Sequence, residues 1–372
     1  MRQRWLLLVA ALTLASSWAH GQTLVYFGTY TDAKSKGIYV SSLDTASGRL
    51  TEPELAAETV NPSFLAVHPS GRFLYAVNEV AEFQGEAAGS ASAFAIEGAS
   101  GRLRPLNQSS SKGPGPCYLS LDRAGRHLLV ANYDGGSVVV LPVGTDGALG
   151  PATAFVQHRS SDAARAHSID VDAANRFAIA ADLGLDRVFV YRFDPFRGGL
   201  AANDPPFISL DPGAGPRHVA LHPGGRFAYV LNELSMTLTA MRYDPERGVL
   251  SATQTVSSLP DGIAVAAEFS GAEVLSHPSG RFLYASNRGH DTIAVFTVDE
   301  DEGTLRLLEH ASTRGKTPRG FGIDPTGAYL LAANQDSDSV VVFRIDPGTG
   351  HLTPTGQTVE VGSPVAVAFV AY

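Results

Sequence analysis

Four residues in the middle and second half of the chain have side chains suited to acid–base chemistry on an anionic molecule. His167 carries an imidazole, whose unperturbed pKa of about 6.5 suits a general base. Arg217 and Arg288 carry guanidiniums, which bind carboxylate or phosphate groups through paired hydrogen bonds. Glu233 follows Arg217 by sixteen residues and is a candidate to orient His167 or to replace it as the base. Together these residues predict catalysis that uses side chains alone.

Motifs for several other chemistries are absent from the sequence. It contains no Cys-x-x-Cys-His for haem, no phosphate-binding glycine-rich loop, no Gly-x-Ser-x-Gly elbow and no His-Glu-x-x-His. We therefore expect neither a cofactor nor a metal. The single cysteine, Cys117, excludes an intrachain disulfide, and without a convincing Cys/His partnership we interpret it as structural rather than nucleophilic.

The unit that must position these residues is a repeat of about 51 residues. An eight-residue stretch at 68–75, His-Pro-Ser-Gly-Arg-Phe-Leu-Tyr, returns in similar form five more times. We call its glycine the anchor position, which is occupied by Gly71, Gly125, Asn175, Gly225, Gly280 and Gly327. The successive spacings are 54, 50, 50, 55 and 47 residues. A fixed period of this size indicates a propeller or a solenoid.

Each repeat unit predicts four antiparallel strands. In the unit around Gly125, apolar runs at 118–121, 128–131 and 137–140 are separated by turn residues, and other units add a fourth run after a Gly-x-Leu signal. Short runs rich in Val, Ile, Phe and Tyr and bounded by Gly, Pro, Asn and Asp are strands. Four such strands make one propeller blade, so the chain is predicted to be all-β.

The two ends of the chain supply a seventh blade. Six anchors account for six blades, whereas the length after residue 21 divided by the period is close to seven. Residues 23–30 look like a second strand without a first, and residues 364–370 look like a first strand with nothing after it. Pairing them would remove two open sheet edges. We predict one domain at 22–372, a seven-bladed β-propeller with four-stranded antiparallel blades, one of them closed by the N- and C-terminal strands.

Three histidines in turns look catalytic in isolation, but the repeat assigns them to the scaffold. Three residues before the anchor position, histidine and aspartate replace one another at His68, Asp122, Asp172, His222, His277 and Asp324. We interpret these as turn residues that bond nearby backbone N–H groups. Seven residues after the anchor the chain has Asn78, Asn132, Asp182, Asn232, Asn287 and Asn334. Their short polar side chains are expected to satisfy backbone groups where a strand leaves the sheet.

Two other positions vary strongly between units and are therefore free for chemistry. Eight residues before the anchor stand Ser63, Cys117, His167, Arg217, Ala272, Arg319 and, from the last strand, Val365. Eight residues after it stand Glu79, Tyr133, Leu183, Glu233, Arg288, Gln335 and, from the first strand, Tyr30. Because the anchor is a hairpin turn, both positions lie at the same end of a blade, as cross-strand neighbours about 5 Å apart at Cβ. We expect these fourteen residues, which we call the mouth ring, to surround one mouth of the central channel.

The mouth ring predicts a site for an anionic small molecule. Its arginines would hold the ligand, and His167 and Glu233 would supply the base. The remaining polar members are predicted to contact the substrate: Arg319, Tyr133, Glu79, Tyr30 and Gln335. On the residues alone, a structural ion pair between Arg217 and Glu233 at the rim is the alternative.

The N-terminus predicts an exported protein, and the net charge bears on its partners. Arg2 and Arg4 precede an apolar run at 5–14 and small residues near position 20, as in a secretory signal, so we predict a signal peptide at 1–21 and a periplasmic or secreted location. The run is too short to span a bilayer. After its removal, 26 Lys+Arg face 37 Asp+Glu, a net charge of -11, which argues against nucleic acid as a partner. We expect a monomer that is not bound to membranes.

Several motifs together carry a family resemblance that covers residues 23–372. They include Phe-Gly-Thr-Tyr-Thr at 27–31, Gly-Pro-Arg-His at 215–218, Val-Leu-Asn-Glu-Leu at 230–234 and Ala-Ser-Asn-Arg-Gly at 285–289. The set resembles the seven-bladed propeller lactonase family, which includes a bacterial 6-phosphogluconolactonase and the fungal 3-carboxy-cis,cis-muconate lactonizing enzyme. For the muconate enzyme the resemblance implies a histidine, an arginine, a glutamate sixteen residues later and a further arginine. The matching residues are His167, Arg217, Glu233 and Arg288.

The resemblance leaves three functions open. The first is hydrolysis of a sugar-acid lactone, with His167 as the general base. The second is a cycloisomerase that closes an unsaturated diacid into a lactone. The third is an exported propeller that binds a ligand without turnover, since a fold alone does not imply activity.

Overall fold

The computed structural model describes residues 22–32, 34–158 and 163–370. These residues form seven antiparallel β-sheets, one for each blade. Two short 3-10 turns, Gly98–Ser100 and Gln335–Ser337, lie between strands. The predicted signal peptide at 1–21 falls outside the described residues.

The strands are numbered along the chain, and each blade is described from the central channel outwards. Blade 1 consists of β29 (Pro364–Phe369), β1 (Gln22–Thr29), β2 (Gly37–Asp44), β3 (Arg49–Leu50) and β4 (Glu54–Glu58). Blade 2 consists of β5 (Leu65–Val67), β6 (Phe73–Asn78), β7 (Ser90–Glu97) and β8 (Arg102–Ser110), and blade 3 of β9 (Pro116–Leu121), β10 (His127–Asn132), β11 (Ser137–Pro142) and β12 (Ala154–Gln157). Blade 4 consists of β13 (Ala166–Val171), β14 (Phe177–Asp182), β15 (Arg187–Asp194) and β16 (Gly199–Ser209), and blade 5 of β17 (Pro216–Leu221), β18 (Phe227–Asn232), β19 (Thr237–Asp244) and β20 (Val249–Ser257). Blade 6 consists of β21 (Ser270–Ser276), β22 (Phe282–Arg288), β23 (Thr292–Val298) and β24 (Leu305–Ser312), and blade 7 of β25 (Pro318–Ile323), β26 (Tyr329–Asn334), β27 (Ser339–Ile345) and β28 (Leu352–Glu360).

The two ends of the chain close blade 1, as predicted. β29 pairs antiparallel with β1, with Phe27 opposite Val367. The first strands contact one another in a closed cycle, β29, β5, β9, β13, β17, β21, β25 and back to β29, so they surround the channel. The seven-bladed, four-stranded architecture is therefore confirmed. The only departure in the described strands is in blade 1, whose outer edge is divided into β3 and β4.

The hydrophobic core lies mainly between adjacent blades. Tyr229 and Phe227 of blade 5, for example, pack in one cluster with Leu283 and Phe296 of blade 6. Complete burial of a Leu or Phe side chain contributes about 1.5–3 kcal/mol relative to its exposure. Similar clusters join the other neighbouring pairs, so the faces between the blades hold the ring together.

The turn histidines are structural, and they also join blades. The Nδ1 atom of His222 accepts a hydrogen bond from the backbone N–H of Gly224 at 3.0 Å, as the turn interpretation requires. Its Nε2 atom also bonds the carbonyl of Gly280 in the next blade, at 2.9 Å. The other two histidines of this column make the same pair of contacts. Asp122, at the equivalent position, accepts from two backbone N–H groups of its own turn.

The polar column seven residues after the anchor is structural as well. The Nδ2 atom of Asn132 donates to the carbonyl of Ser111 at 2.9 Å, and that of Asn287 to the carbonyl of Ser258 at 2.7 Å. Asp182 instead accepts from the backbone N–H of Arg165 at 2.8 Å. Each contact ties the end of a second strand to an adjoining segment.

A β-bulge changes the expected geometry of the mouth ring. In blade 4, Ala166 pairs with Asp182 and Ser168 with Ala181, so His167 has no residue opposite it. The same shift occurs in four other blades, at Cys117, Arg217, Arg319 and Val365. In blade 6, Ala272 and Glu273 together stand opposite Ser286. The two variable columns are therefore not direct cross-strand neighbours, although they lie at the same end of the blade. A bulge bends the strand and re-aims the side chain of the extra residue.

Candidate active site

The structure brings together the four predicted catalytic residues at one mouth of the channel. His167 and Arg217 occupy the bulges of β13 and β17. Glu233 directly follows β18, and Arg288 is the last residue of β22. The exposed fraction of these four side chains is 5%, 4%, 18% and 13%, respectively. Glu233 therefore remains the most accessible to solvent within a largely buried group.

Glu233 bridges the two arginines. Its Oε2 atom is 3.0 Å from Arg217 Nε, and its Oε1 atom is 3.0 Å from Arg288 Nη2. The Nε2 atom of His167 is 3.9 Å from Glu233 Oε2, which is too far for a hydrogen bond. The expected orienting contact between Glu233 and His167 is therefore absent from the site as described. The carboxylate instead offsets the charge of two buried guanidiniums.

His167 is held neutral by its surroundings. Burial lowers its pKa well below the usual value near 6.5, and the charge of Arg217 lowers it further. This corrects the expectation of an unperturbed imidazole. The ring packs edge-on against Tyr133, with ring centroids 5.3 Å apart. An unprotonated imidazole at the mouth is able to accept a proton at neutral pH.

Cys117 lies behind His167, where its thiol is buried. Its Sγ atom is 3.6 Å from His167 Nδ1 and 3.5 Å from the backbone carbonyl of His167. Burial raises the pKa of the thiol, so the reactive thiolate is disfavoured. The sequence-based interpretation of Cys117 as structural agrees with this environment.

A second group of ring residues comes from blades 1, 2 and 7. The hydroxyl of Tyr30 donates to Glu79 Oε2 at 2.9 Å, and the hydroxyl of Ser63 donates to the same oxygen. The guanidinium of Arg319 lies over the ring of Tyr30, 5.3 Å from its centroid. Gln335 is the exception, since its backbone N–H bonds the chain before β25 and no hydrogen bond joins its side chain to this group in the described residues.

The two groups share one electrostatic environment. The charge of Arg319 acts on His167 in the first group and on Tyr30 in the second. The mouth ring contains three arginines and two glutamates, a formal charge of +1. Burial lowers the pKa of Arg288 to about 10, which leaves it protonated at neutral pH. The mouth ring therefore carries a small net positive charge, because the two carboxylates offset most of the charge of the three guanidiniums.

Beneath the mouth ring lies a layer that we did not predict. His218 and Glu273 stand one residue further along β17 and β21 and are buried. In the same layer, the ring of Tyr118 packs edge-on against His218, with ring centroids 4.9 Å apart, and its hydroxyl donates to Asp170 Oδ2 at 2.7 Å. Three of these four residues, Tyr118, His218 and Glu273, stand seven residues before the anchor. The residue type at that position also varies strongly between the units. The sequence prediction rested only on the columns eight residues away and therefore missed them.

The chain is similar to known proteins over nearly its whole length. A family model described as "Lactonase, 7-bladed beta-propeller" matches residues 24–369. The chain belongs to this lactonase family. Among its relatives is a 6-phosphogluconolactonase of Bacillus subtilis, 37% identical over 351 residues, which are 93% of this chain and 97% of that protein. A 6-phosphogluconolactonase of Formosa agariphila is 31% identical, over 81% of this chain and 86% of its own length.

The solved structure of a periplasmic gluconolactonase from Pseudomonas aeruginosa is also similar. Its identity to this lactonase-family chain is 37% and the TM-score is 0.87, over 94% of this chain and 99% of the other.

None of the helical segments in the described part of the chain has the length and hydrophobicity needed to cross a membrane. Likewise, the described residues contain no cluster of three His, Cys, Asp or Glu side chains arranged to bind a metal.

The opposite end of the propeller has a cleft of about 430 Å³, but its polar residues serve the scaffold. Arg123 donates to the backbone carbonyls of Val171 and Asp172. Tyr243 donates to the carboxylate of Asp172 at 3.1 Å. These contacts link blades 3, 4 and 5, so we place the candidate active site at the mouth ring and not in this cleft.

Proposed function

We propose that the protein hydrolyses a sugar-acid lactone at the mouth ring. The observation that carries this proposal is the placement of neutral His167 beside the Arg217–Glu233–Arg288 bridge in a chain of the lactonase family. The bridge offers two oriented cations, and His167 offers a base. Addition of water to a lactone carbonyl needs both.

These positions support the following reaction. His167 Nε2 takes a proton from water while the water oxygen bonds to the lactone carbonyl carbon. Arg217 and Arg288 stabilise the negative charge that develops on the carbonyl oxygen. When the tetrahedral intermediate collapses, the bond from the carbonyl carbon to the ring oxygen breaks. The imidazolium returns its proton to that oxygen, which gives the hydroxy acid. Glu233 keeps the two arginines in place throughout.

The second group of ring residues suits the hydroxyl groups of the substrate. Glu79 and the hydroxyl oxygen of Tyr30 offer acceptors, Arg319 offers donors, and Tyr133 and Gln335 line the same mouth as further binding residues. Such mixed donors and acceptors match a polyhydroxylated ring better than an apolar one.

The charge of the mouth ring favours an unphosphorylated lactone. A phosphate group carries close to two negative charges at neutral pH and is usually held by several unpaired cationic donors. Here Glu233 already binds Arg217 and Arg288, which leaves Arg319 near Glu79. We therefore propose gluconolactone-type substrates. The similarity to the Pseudomonas aeruginosa periplasmic gluconolactonase supports this choice, as does the predicted signal peptide, and we propose that the protein is exported.

Initial rates on glucono-1,5-lactone test the proposal, with spontaneous hydrolysis subtracted. The wild type should accelerate the reaction, and His167→Gln should reduce kcat by at least about 100-fold. His351→Gln is the matched control, because His351 is 47% exposed and outside the mouth ring, and it should behave as wild type. Equal rates for His167→Gln and the control would reject the role of His167. Loss of the ultraviolet absorbance of 3-carboxy-cis,cis-muconate without lactone hydrolysis would instead identify a cycloisomerase.

A further inference from the structure

The buried layer beneath the mouth ring contains a hydrogen-bond chain that ends on Arg217. His218 Nδ1 is 2.8 Å from Glu273 Oε1, and His218 Nε2 is 3.1 Å from Arg217 Nη1. Arg217 Nη1 is also 3.4 Å from His218 Nδ1, so the tautomer is set by Glu273 rather than by Arg217. A carboxylate accepts, so the imidazole proton lies on Nδ1 and is donated to Glu273, which leaves Nε2 unprotonated beside the guanidinium.

The far end of this chain is fixed by the backbone. The N–H of Val274 donates to the same Oε1 atom of Glu273 at 2.9 Å. The Nη1 group of Arg217 also donates to the carbonyl of Ala272. Arg217 is thus held by Glu233 from the mouth, by Ala272 from the side and by His218 from beneath.

We propose that His218 and Glu273 are positioning residues that hold the Arg217 guanidinium in its catalytic orientation. His218 contacts Arg217, Glu273 contacts His218, and neither needs to touch the substrate. The consequence for turnover rests on the proposed lactone hydrolysis, whereas the hydrogen-bond chain itself does not.

Protonation of Glu273 leaves the chain in place. Burial raises the pKa of Glu273 to about 7. The N–H of Val274 holds Oε1 as an acceptor, so below that pH the proton is taken up on Oε2 and His218 keeps its own proton on Nδ1. The contact between His218 and Arg217 is therefore the same on both sides of this pH.

The other titratable groups around His218 are largely buried as well. His218 itself stays neutral, because burial, Arg217, Arg319 and Arg288 all lower its pKa. The rings of Tyr118 and His167 pack against it, with ring centroids 4.9 Å and 5.2 Å away. Burial raises the pKa of Asp170, which accepts from the hydroxyl of Tyr118, to about 6.

Nitrogen-15 NMR of histidine-labelled protein tests the chain without reference to activity. In wild type above pH 7.5, His218 should show a protonated Nδ1 and an unprotonated Nε2, with its signals assigned by their loss in His218→Asn. The same form should persist as the pH falls through about 7 and also in Glu273→Gln, because Val274 N–H keeps an acceptor oxygen towards His218 in both. In Glu273→Ala the preference for the Nδ1–H form should be lost. A wild-type Nε2–H form, or an unchanged tautomer in Glu273→Ala, would overturn the proposal.

Kinetics on glucono-1,5-lactone test the consequence for Arg217. Glu273→Ala should lower kcat by about 10- to 100-fold and change KM less than about threefold, since a small displacement of a catalytic group has effects of that size. Glu273→Gln should restore most of kcat, because its amide oxygen can still accept from His218 Nδ1. A folded Glu273→Ala protein with wild-type kcat and pH profile would overturn the positioning role. A wild type without lactonase activity would refute the proposed function, and the NMR experiment would still decide the chain.

Discussion

Glu233→Gln is the substitution that most clearly separates the role of Glu233 at the bridge from that of an ordinary surface residue. The change removes the negative charge and keeps the size of the side chain. In wild type the carboxylate lies 3.0 Å from both Arg217 and Arg288. Burial and the charge of Arg217 already lower the pKa of Arg288 to about 10. The variant would leave two guanidiniums in one largely buried space without their common counter-ion.

The expected cost follows from burial. Removal of one partner of a buried ion pair costs about 3–5 kcal/mol, whereas exposed pairs contribute about 0.2–1 kcal/mol. Glu233 retains 18% exposure, so we expect the lower end of the buried range. At roughly 2 °C per kcal/mol for a domain of more than 200 residues, the melting temperature should fall by about 6 °C. The same loss of orientation should lower kcat by about 100-fold.

Differential scanning calorimetry and initial rates measure both effects. The matched control is Glu302→Gln, which breaks the Arg242–Glu302 pair, whose side chains are 51% and 64% exposed. This control should melt within about 2 °C of wild type and keep its activity. If Glu233→Gln is as stable and as active as the control, the carboxylate does not hold the arginines, and the reasoning fails.

Three further outcomes are expected. Because the pKa of His167 lies well below 6.5, the loss of activity caused by its protonation should appear below pH 6.5 in pH–rate profiles. A rate that already begins to fall above pH 7.5, both in wild type and in Glu273→Gln, would contradict this. Truncation after residue 363 removes β29 and opens the edge of β1, so the melting temperature should fall by more than about 10 °C, whereas an unchanged melt would reject the closure. For Glu273, burial raises the pKa from 4.5 to about 7, so the wild type loses stability as the pH rises through that range. At pH 8, Glu273→Gln should therefore have a higher free energy of unfolding than the wild type, by at most about 3 kcal/mol. At pH 4.5 the two proteins should be equally stable.

The repeat explains why so much of the fold was predictable. Each blade is built from contacts within about 50 residues, and its turn at the anchor position recurs with little change. The unmatched strands at 23–30 and 364–370 could satisfy their edges only with each other, and β1 and β29 do pair. The same repetition separated the scaffold histidine His222 from the variable His167.

The contacts within the site were less predictable, because they join blades that are distant in sequence. Glu233 contacts Arg288 of the next blade rather than orienting His167, and that choice depends on how the blades are inclined around the channel. The bulges of the first strands leave no mark in an alternating hydrophobic pattern. His218 and Glu273 were missed for a related reason, since each looks like an ordinary strand residue until the two strands meet.

A crystal structure with bound gluconate, the product of glucono-1,5-lactone hydrolysis, tests the central proposal most directly. We predict that its carboxylate lies at the mouth ring, within about 3 Å of a guanidinium nitrogen of Arg217 or Arg288, with His167 Nε2 facing the carboxyl carbon. Its hydroxyl groups should extend towards Tyr30 and Glu79. Gluconate bound in the cleft at the opposite end, with the mouth ring empty at saturating concentration, would contradict the account.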